Sequence, residues 1–404
     1  MSDTNSELNS GQLSFDDTEI AFRNKSSNDL NSAYWLFKMI SSNFLTTIGP
    51  PVIKWSLKLG LPLEPLIKRT VFKQFCGGET IAECEHVINQ LSMGKVGTIL
   101  DYAVEGEERE EVFDNTAEEI IRTIGRAKGD PRIPLTVFKP TGVARFGLLE
   151  KVTARQELSS QEIEELNKLE NRIDQICRTA YEASVPVMID AEETWIQDAV
   201  DALVLKMMRR YNRDRVVVCT TYQLYRKDML SVIKHDVTRG REEGFKLGAK
   251  LVRGAYMEKE RERARELGYP SPIQPDKEAT DNQYDEACAY CVENVDHVAL
   301  IAGTHNEKSC RKLVEVMETL NVPRDHKHIY FSQLLGMSDN LSFNLADAGY
   351  NVAKYVPYGP VKAVLPYLFR RAEENTSIAG QTGRELRLII KEKKRRGLSH
   401  KSSA

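Results

Sequence analysis

The sequence lacks an unbroken apolar run long enough to span a membrane as a helix, which takes about 20 residues. Its amino terminus is acidic and rich in Ser and Asn, unlike a secretory signal or an Arg-rich, acid-poor transit peptide. The motifs of Rossmann, P-loop and zincin sites are also missing. These absences predict a cytoplasmic protein in which any cofactor is held by the loops of another fold. A peripheral position on an inner membrane, mitochondrial in a eukaryote, is the alternative location.

An excess of charge of one sign is lacking as well, because 56 Lys and Arg residues stand against 59 Asp and Glu residues. This balance gives no indication of a nucleic-acid partner. The seven cysteines are odd in number and scattered, which favours reduced thiols over a disulfide framework. Cys288 and Cys291 form a C-x-x-C without a second pair or a His cluster. We therefore expect these two thiols to pack in a helix, and we predict no metal site.

The two ends of the chain differ from its middle. Residues 1–31 are polar and predict a disordered or loosely packed N-terminus. Residues 32–93 carry helical patterns, partly basic and amphipathic, and predict a helical arm that either packs across the main domain or lies on an anionic membrane. Residues 383–404 predict a basic helix and a solvated tail, with contact to a membrane surface as an option.

Eight apolar runs, each followed by an amphipathic stretch, occupy residues 94–382. Such runs between helices indicate a parallel sheet, and eight units predict an α/β fold of the (β/α)8, TIM-like barrel type. Periodicity alone also permits an open doubly wound sheet. Polar residues end several runs, on the face where barrel enzymes build their sites. The runs are Gly97–Asp101, Leu135–Lys139, Val185–Asp190, Val216–Thr220, Ala249–Arg253, Val298–Ala302, Ile329–Ser332 and Val352–Val356.

The most informative stretch combines the last run with the helix predicted after it. The run ends in Tyr355-Val-Pro-Tyr-Gly359, and Pro366-Tyr-Leu-Phe-Arg-Arg-Ala-Glu-Glu-Asn375 follows. On a helix, Tyr367, Arg370, Arg371 and Glu374 would share one broad face. Two adjacent guanidinium groups can clamp a carboxylate, with Lys139 at the end of the second run as a third cation. The competing interpretation is a solvated Arg pair on a surface helix.

These two stretches resemble the last strand and last helix of the proline dehydrogenase family, flavoenzymes that oxidise L-proline. Leu251-Val-Arg-Gly-Ala-Tyr256 and Thr304-His-Asn306 match further family motifs in order. The resemblance implies FAD as cofactor, hydride transfer from C5 of proline to flavin N5, and 1-pyrroline-5-carboxylate as product. It also implies electron delivery to a membrane quinone, and a monofunctional form without DNA-binding or aldehyde dehydrogenase domains.

The same resemblance implies roles for individual residues. The catalytic residues would be Lys139, Asp190, Tyr355, Arg370, Arg371 and Glu105, the last as a gate that pairs with Arg370. The substrate would contact Lys139, Tyr256, Leu334, Tyr355, Tyr367, Arg370 and Arg371. The cofactor would contact Thr220, Tyr222, Lys250, Val252, Arg253, Gly254, Ala255, Tyr256, Thr280, Thr304, His305, Asn306, Gln333, Leu334, Arg371 and Glu374.

Two positions depart from the family pattern. Lys250 stands where many relatives carry Arg, and Thr220 stands where bacterial relatives have the Gln of a Gln-x-Tyr pattern. Tyr355 is expected to favour proline over hydroxyproline, because relatives that accept hydroxyproline carry a smaller residue. Three other functions stay open: a hydroxyproline dehydrogenase, a non-redox aldolase or isomerase with Lys139 as a Schiff base, and a membrane-attached binding protein.

Overall fold

Eight parallel strands close into a barrel in a computed structural model that describes residues 13–40, 64–104, 108–377 and 381–398. Each strand pairs with the next along the chain, and the last pairs with the first. This closure confirms the predicted (β/α)8 barrel and excludes the open sheet. The strands are β1 Gly97–Tyr102, β2 Leu135–Phe138, β3 Val187–Ile189, β4 Val218–Gln223, β5 Leu247–Val252, β6 Val298–Gly303, β7 Ile329–Leu334 and β8 Val352–Tyr358.

Helices alternate with the strands and pack against the barrel. Within the described residues the α-helices are α1 Thr18–Phe22, α2 Ser27–Ile40, α3 Glu64–Ile67, α4 Lys73–Phe75, α5 Ile81–Met93, α6 Glu110–Ala127, α7 Phe146–Thr153, α8 Ser160–Ala183, α9 Thr194–Tyr211, α10 Met229–Glu243, α11 Met257–Leu267, α12 Lys277–Glu293, α13 Glu307–Thr319, α14 Asp339–Asp347, α15 Val361–Ser377 and α16 Gln381–Arg395. A π-helical turn, Lys68–Phe72, joins α3 to α4, and a 3-10 turn, Pro140–Gly142, follows β2.

Alternation along each strand separates an inner from an outer layer of side chains. Ile99, Val137, Met188 and Cys219 belong to the apolar cluster inside the barrel. Because successive side chains of a strand point to opposite faces, positions two residues further along also point inward. The inward positions at the carboxyl ends are Asp101, Lys139, Asp190, Gln223, Lys250, Leu334 and Tyr355.

Residues 13–31 of the N-terminal segment include helix α1 and the start of helix α2, and several of their side chains are buried. Asp17 caps α1 by accepting hydrogen bonds from the backbone N–H groups of Glu19 and Ile20. Phe15 and Leu30 are fully buried. A few well-spaced apolar residues thus hold this polar segment against the barrel.

The basic C-terminal helix packs against the N-terminal helices through its apolar residues. Leu388 and Ile389 of α16 are buried in a cluster that includes Leu36 and Phe37 of α2. Arg396 donates hydrogen bonds to the carbonyl oxygens of Phe22 and Lys25, 2.7 Å away in both cases. The two terminal regions are therefore bound to each other.

The seven cysteines are buried and form no disulfide. Cys288 and Cys291 lie in α12, and burial raises the pKa of the Cys291 thiol to about 12. This agrees with the prediction that the C-x-x-C residues pack in a helix. No helix among the described residues is long and apolar enough to cross a membrane.

Candidate active site

An ion pair between Lys139 and Asp101 lies at the carboxyl ends of β1 and β2. Lys139 directly follows β2, because Pro140 cannot continue the ladder and begins the 3-10 turn. Its Nζ lies 2.9 Å and 3.2 Å from the two carboxylate oxygens of Asp101. The two side chains are only 11% and 2% exposed. The predicted cation therefore sits at the barrel mouth with a buried counter-charge beside it.

Asp190, Lys250 and Tyr355 form a three-way contact inside the same mouth. The Lys250 ammonium lies 2.5 Å from Asp190 Oδ1 and 2.6 Å from the Tyr355 hydroxyl. The Tyr355 hydroxyl also donates to Asp190 Oδ1 at 2.8 Å. These residues come from β5, β8 and the residue after β3, so barrel closure brings them together. We call them the mouth triad.

Electrostatics set the protonation of the mouth triad. Burial alone would raise the pKa of Asp190, but the ammonium groups of Lys250 and Lys139 and the hydrogen bonds from Lys250 and Tyr355 outweigh it and lower that pKa. Burial, followed by the negative charge of Asp190, raises the pKa of Tyr355 well above its ordinary value. At neutral pH the site therefore holds a carboxylate next to a phenol that donates.

The two arginines of α15 differ in burial. Arg371 is only 7% exposed, and its guanidinium carbon lies 5.1 Å from the ring centroid of the buried Tyr367. Arg370 is partly buried. The Arg371 guanidinium is therefore held against Tyr367 and is not solvated.

Leu334 connects the last helix to the barrel interior. It packs against the inner cluster that contains Tyr355, and also against the cluster that contains Tyr367. It is paired in register with Tyr355 across β7 and β8. Leu334 thus links Tyr355 and Tyr367 in one apolar surface.

Arg253 organises a second group of predicted residues along the rim. It lies just after β5, and its guanidinium donates to Asp281 at 2.6 Å, to Thr304 Oγ1 at 2.7 Å and to Ser309 at 2.8 Å. The guanidinium carbon lies 4.4 Å from the ring centroid of Tyr284. These contacts join the segment after β5 to α12 and to the segment after β6.

The motif Thr304-His305-Asn306 follows β6. Burial, then the charges of Lys354, Arg371 and Arg253, lower the pKa of His305 to about 3, so the imidazole is neutral at physiological pH. Asn306 caps α13 by accepting a hydrogen bond from Lys308 N–H at 2.9 Å.

Thr280 lies in the first turn of α12. Its hydroxyl donates to the carbonyl of Asp276 at 3.0 Å. Asp281, the next residue of α12, accepts a hydrogen bond from Arg253, which also contacts Thr304. This contact keeps Thr280 near the rim.

Three predicted cofactor contacts point away from the mouth. The Tyr222 hydroxyl donates to Asp236 on α10, outside the barrel, at 2.8 Å. Thr220 shares that outer face because it alternates with the inward-facing Cys219. Gln333 is held outside the barrel by the carbonyl of Thr304 at 3.1 Å and by the Ser342 hydroxyl at 2.8 Å. Gln333 therefore contacts the segment after β6 from outside the barrel.

Gln223 is the inward residue that the sequence prediction missed. It ends β4 on the same face as Cys219, paired in register with Val252. Its Nε2 donates to the carbonyl of Glu192 at 3.0 Å, whereas its Oε1 is buried without a hydrogen-bond partner among the described residues. The signal was present, because Gln223-Leu-Tyr225 is itself a Gln-x-Tyr pattern. This pattern lies three residues after the predicted one at Thr220 and Tyr222.

Gly254 is required by packing. Its φ is +128°, and a Cβ there would lie 2.5 Å from the ring of Tyr225. The planar group that the Gly254 backbone approaches is thus a tyrosine of the protein. The neighbouring Ala255 is exposed, Val252 and Tyr256 are partly buried, and all three line the rim.

Two predicted residues lie outside the described part of the structure. They are Glu105, in segment 105–107, and the side chain of Glu374. The gate pairing of Glu105 with Arg370 and the cofactor contact of Glu374 therefore stay predictions.

Comparison with known proteins places the chain in a family. Residues 84–384 match the family model described as proline dehydrogenase. The chain is 33% identical to "Proline dehydrogenase 1, mitochondrial" of Dictyostelium discoideum, over 94% of this chain and 74% of that protein. It is 42% identical to the Homo sapiens protein of the same name, over 66% of this chain but only 45% of that protein.

A solved structure agrees with the barrel. Proline utilization A from Bdellovibrio bacteriovorus, inactivated by N-propargylglycine, superimposes with a TM-score of 0.69 at 19% identity, over 89% of this chain and 38% of that chain. At this identity the superposition supports the fold alone. The family match and the 33% identical relative carry the assignment, and they confirm the resemblance noted in the sequence. The chain belongs to the proline dehydrogenase family, the oxidoreductases that act on proline.

Proposed function

We propose that this chain oxidises L-proline to 1-pyrroline-5-carboxylate with FAD as its cofactor, and that a quinone accepts the electrons. The observation that carries the proposal is the buried mouth triad of Asp190, Lys250 and Tyr355, with Lys139 beside it. Oppositely charged groups in a nearly buried pocket suit a small zwitterion that has one carboxylate and one short apolar ring.

The residues at the mouth fit a flavin. Gln223 Oε1 is a buried acceptor that lacks a partner among the described residues, and the flavin ring offers an N–H donor. The Lys250 ammonium is a fixed donor at the same level of the barrel. When bound, the flavin would supply the two-electron acceptor for a hydride.

The second group of residues supports the larger dinucleotide, FAD. His305 is neutral, and its Nε2 has no hydrogen-bond partner among the described residues, so it can contact a phosphate or a ribose. Arg253 adds positive charge along the same rim and holds Thr304 in place. A mononucleotide would not extend to His305 Nε2.

The chain's own residues bind and orient the substrate. Lys139, Arg370 and Arg371 provide the positive charge that would bind the proline carboxylate. Leu334, Tyr355 and Tyr367 would pack against the ring and exclude water from the reacting carbon. Because no side chain has to form a covalent bond, catalysis would depend mainly on positioning.

Anaerobic titration with L-proline tests the proposal. Protein reconstituted with FAD should lose its flavin absorbance on addition of L-proline and recover it on addition of a soluble quinone. Lys139→Met should raise the proline KM by at least about tenfold, since a charged hydrogen bond contributes about 1.5–3 kcal/mol. Lys206→Met, on an ion pair with Glu170 in which the lysine is 58% exposed, is the matched control and should behave as wild type. FAD-loaded protein that proline does not bleach would refute the proposal.

The non-redox alternative is not favoured. Lys139 is held as an ammonium by both oxygens of Asp101, whereas a Schiff base starts from a neutral amine. Hydroxyproline as the main substrate is also not favoured, because the Tyr355 ring fills the inner cluster at the mouth.

We further propose a peripheral position on an inner membrane, where a quinone is available. On α2, Trp35 is 50% exposed and Met39 is 44% exposed, and the Lys38 ammonium lies 5.0 Å from the Trp35 ring centroid. An aromatic ring flanked by lysine suits a lipid–water interface. The relatives from Dictyostelium discoideum and Homo sapiens are mitochondrial by name, which supports that membrane. Co-sedimentation with anionic vesicles should decrease in Trp35→Ala, and equal binding by that variant would exclude this surface.

A further inference from the structure

We propose that Ser338 is a positioning residue for His305, and that four charged groups, three of them buried and one partly buried, make flavin affinity depend on both terminal regions of the chain. The four charges, which we call the clamp cluster, belong to Lys25, Asp339, Lys354 and Glu385. This inference rests on the proposed flavin-binding function. It concerns a contact of the cofactor that the chain builds with residues beyond the family match, since Lys25 and Glu385 both lie outside residues 84–384.

Asp339 is held between two ammonium groups. Its Oδ2 lies 2.7 Å from Lys25 Nζ, and its Oδ1 lies 2.8 Å from Lys354 Nζ. The Lys354 side chain is 0% exposed, and that of Asp339 is 7% exposed. A buried charge of this kind is stable only with nearby partners, so removing one partner leaves the others uncompensated.

Lys354 also holds the segment between β7 and α14. Lys354 lies on β8 and points outward, since its neighbour Tyr355 points inward. Its ammonium donates to the carbonyl of Met337 at 2.6 Å and to that of Leu334 at 3.3 Å. With Asp339 as the third acceptor, the ammonium fixes both ends of the segment that carries Ser338.

Ser338 itself has a left-handed backbone, with φ +50° and ψ 42°. This conformation costs a non-glycine residue about 1–2 kcal/mol and persists only where its surroundings hold it. Glu385 of α16 supplies one such contact, because its carboxylate accepts the Ser338 N–H at 2.6 Å. The Ser338 hydroxyl is directed to His305, whose Nδ1 lies 2.9 Å away.

This contact determines what His305 can offer to a cofactor. The imidazole is neutral, so one ring nitrogen donates and the other accepts. If Ser338 donates to Nδ1, the hydrogen is on Nε2, which has no hydrogen-bond partner among the described residues. An Nε2–H group is the form that can donate to a phosphate oxygen. The geometry therefore points to Ser338 as the residue that selects this tautomer.

The terminal regions enter through Lys25 and Glu385. Lys25 lies just after α1, and Glu385 lies on α16, more than 350 residues away in the sequence. Arg396 donates to the carbonyl of Lys25 at 2.7 Å, which ties the two regions together. Detachment of either region would release Ser338, and with it the orientation of His305.

The test combines FAD affinity with the state of His305. The full-length chain is stripped of flavin and titrated with FAD in wild type, Ser338→Ala, Lys25→Met and Glu385→Gln. We expect the FAD Kd to rise about tenfold in each variant, while kcat at saturating FAD stays within about twofold. Lys73→Met is the matched control for Lys25→Met, because Lys73 pairs with Asp29 at 3.5 Å but is 67% exposed. Its FAD Kd should not change.

The ¹⁵N chemical shifts of the His305 ring report its tautomer. They would not change if Ser338 only stabilised the fold. Wild type should show the Nε2–H tautomer, and Ser338→Ala should show a mixture of both. Ser338→Gly, which relieves the left-handed strain, serves if the alanine variant does not fold. An unchanged FAD Kd and unchanged ring shifts in a folded Ser338 variant would overturn the inference alone. A wild-type protein that takes up no FAD would instead refute the proposed function, and this inference with it.

Discussion

Replacing Lys250 by Met is the perturbation that tests the mouth triad most directly. The side chains of Lys250 and Asp190 are only 8% and 14% exposed, and their charged atoms lie 2.5 Å apart. Removing one partner of such a pair typically costs 3–5 kcal/mol, because the other charge stays buried. Tyr355 and Lys139 still act on Asp190, so we expect the lower end, about 3 kcal/mol at pH 7.

The pH dependence of this loss identifies its cause. In wild type the pKa of Asp190 is below its ordinary value, so the interaction stabilises the fold above the unfolded pKa and is lost as the pH falls through the folded pKa. In Lys250→Met, Asp190 is still buried but has lost the positive charge that lowers its pKa most. The pKa of Asp190 should therefore rise. The difference in the free energy of unfolding between variant and wild type should therefore shrink as the pH is lowered from 7 to 4.

Urea denaturation at several pH values measures both quantities. The double variant Lys250→Met with Asp190→Asn should recover part of the lost stability, because it removes the uncompensated carboxylate. The control Lys206→Met should cost about 0–1 kcal/mol, as exposed pairs do. A loss for Lys250→Met that is below about 1 kcal/mol, or equal at pH 4 and pH 7, would refute the reasoning.

Two further predictions use other contacts of the site. Tyr355→Ser should relax the preference for L-proline over hydroxyproline, whereas Tyr355→Phe keeps the ring and should keep the preference. Steady-state kinetics with both substrates measures this preference. If Tyr355→Ser and wild type show the same preference, the steric role of Tyr355 is contradicted. Gly254→Ala should destabilise the fold by about 3 kcal/mol, from overpacking against Tyr225 and a positive φ. Gly125→Ala in α6, where a Cβ would meet nothing within 4 Å, should instead leave stability equal or higher in thermal unfolding, and a loss of stability there would question the packing argument.

The barrel could be predicted from the sequence because its strands are apolar runs of regular spacing. Which residues of a run point inward could not be predicted in the same way. All six residues of β4 are buried, so the run shows no alternation between polar and apolar positions. The prediction therefore assigned cofactor contacts to Thr220 and Tyr222, whereas alternation from Cys219 places Gln223 on the inward face of β4.

Contacts between distant parts of the chain account for the other differences between the sequence-based expectations and the structure. Residues 13–31 look polar, yet Phe15 and Leu30 are fully buried against the rest of the chain. Lys354 looks like an interruption of an apolar run, yet it pairs with Asp339, and the other partner of Asp339 is Lys25, more than 300 residues earlier. Local composition carries no information on such pairs, so they emerge only with the tertiary structure.

Because every thiol is buried, the cysteines can report where the folded chain opens. With all seven sulfur atoms inside and the pKa of Cys84, Cys219 and Cys310 raised to about 12, the native protein should resist alkylation at neutral pH. Each thiol that iodoacetamide labels would then show that the segment around it has opened. Because the sulfurs are spread from Cys76 to Cys310, mass spectrometry of partly labelled chains can tell which sector of the barrel opens first.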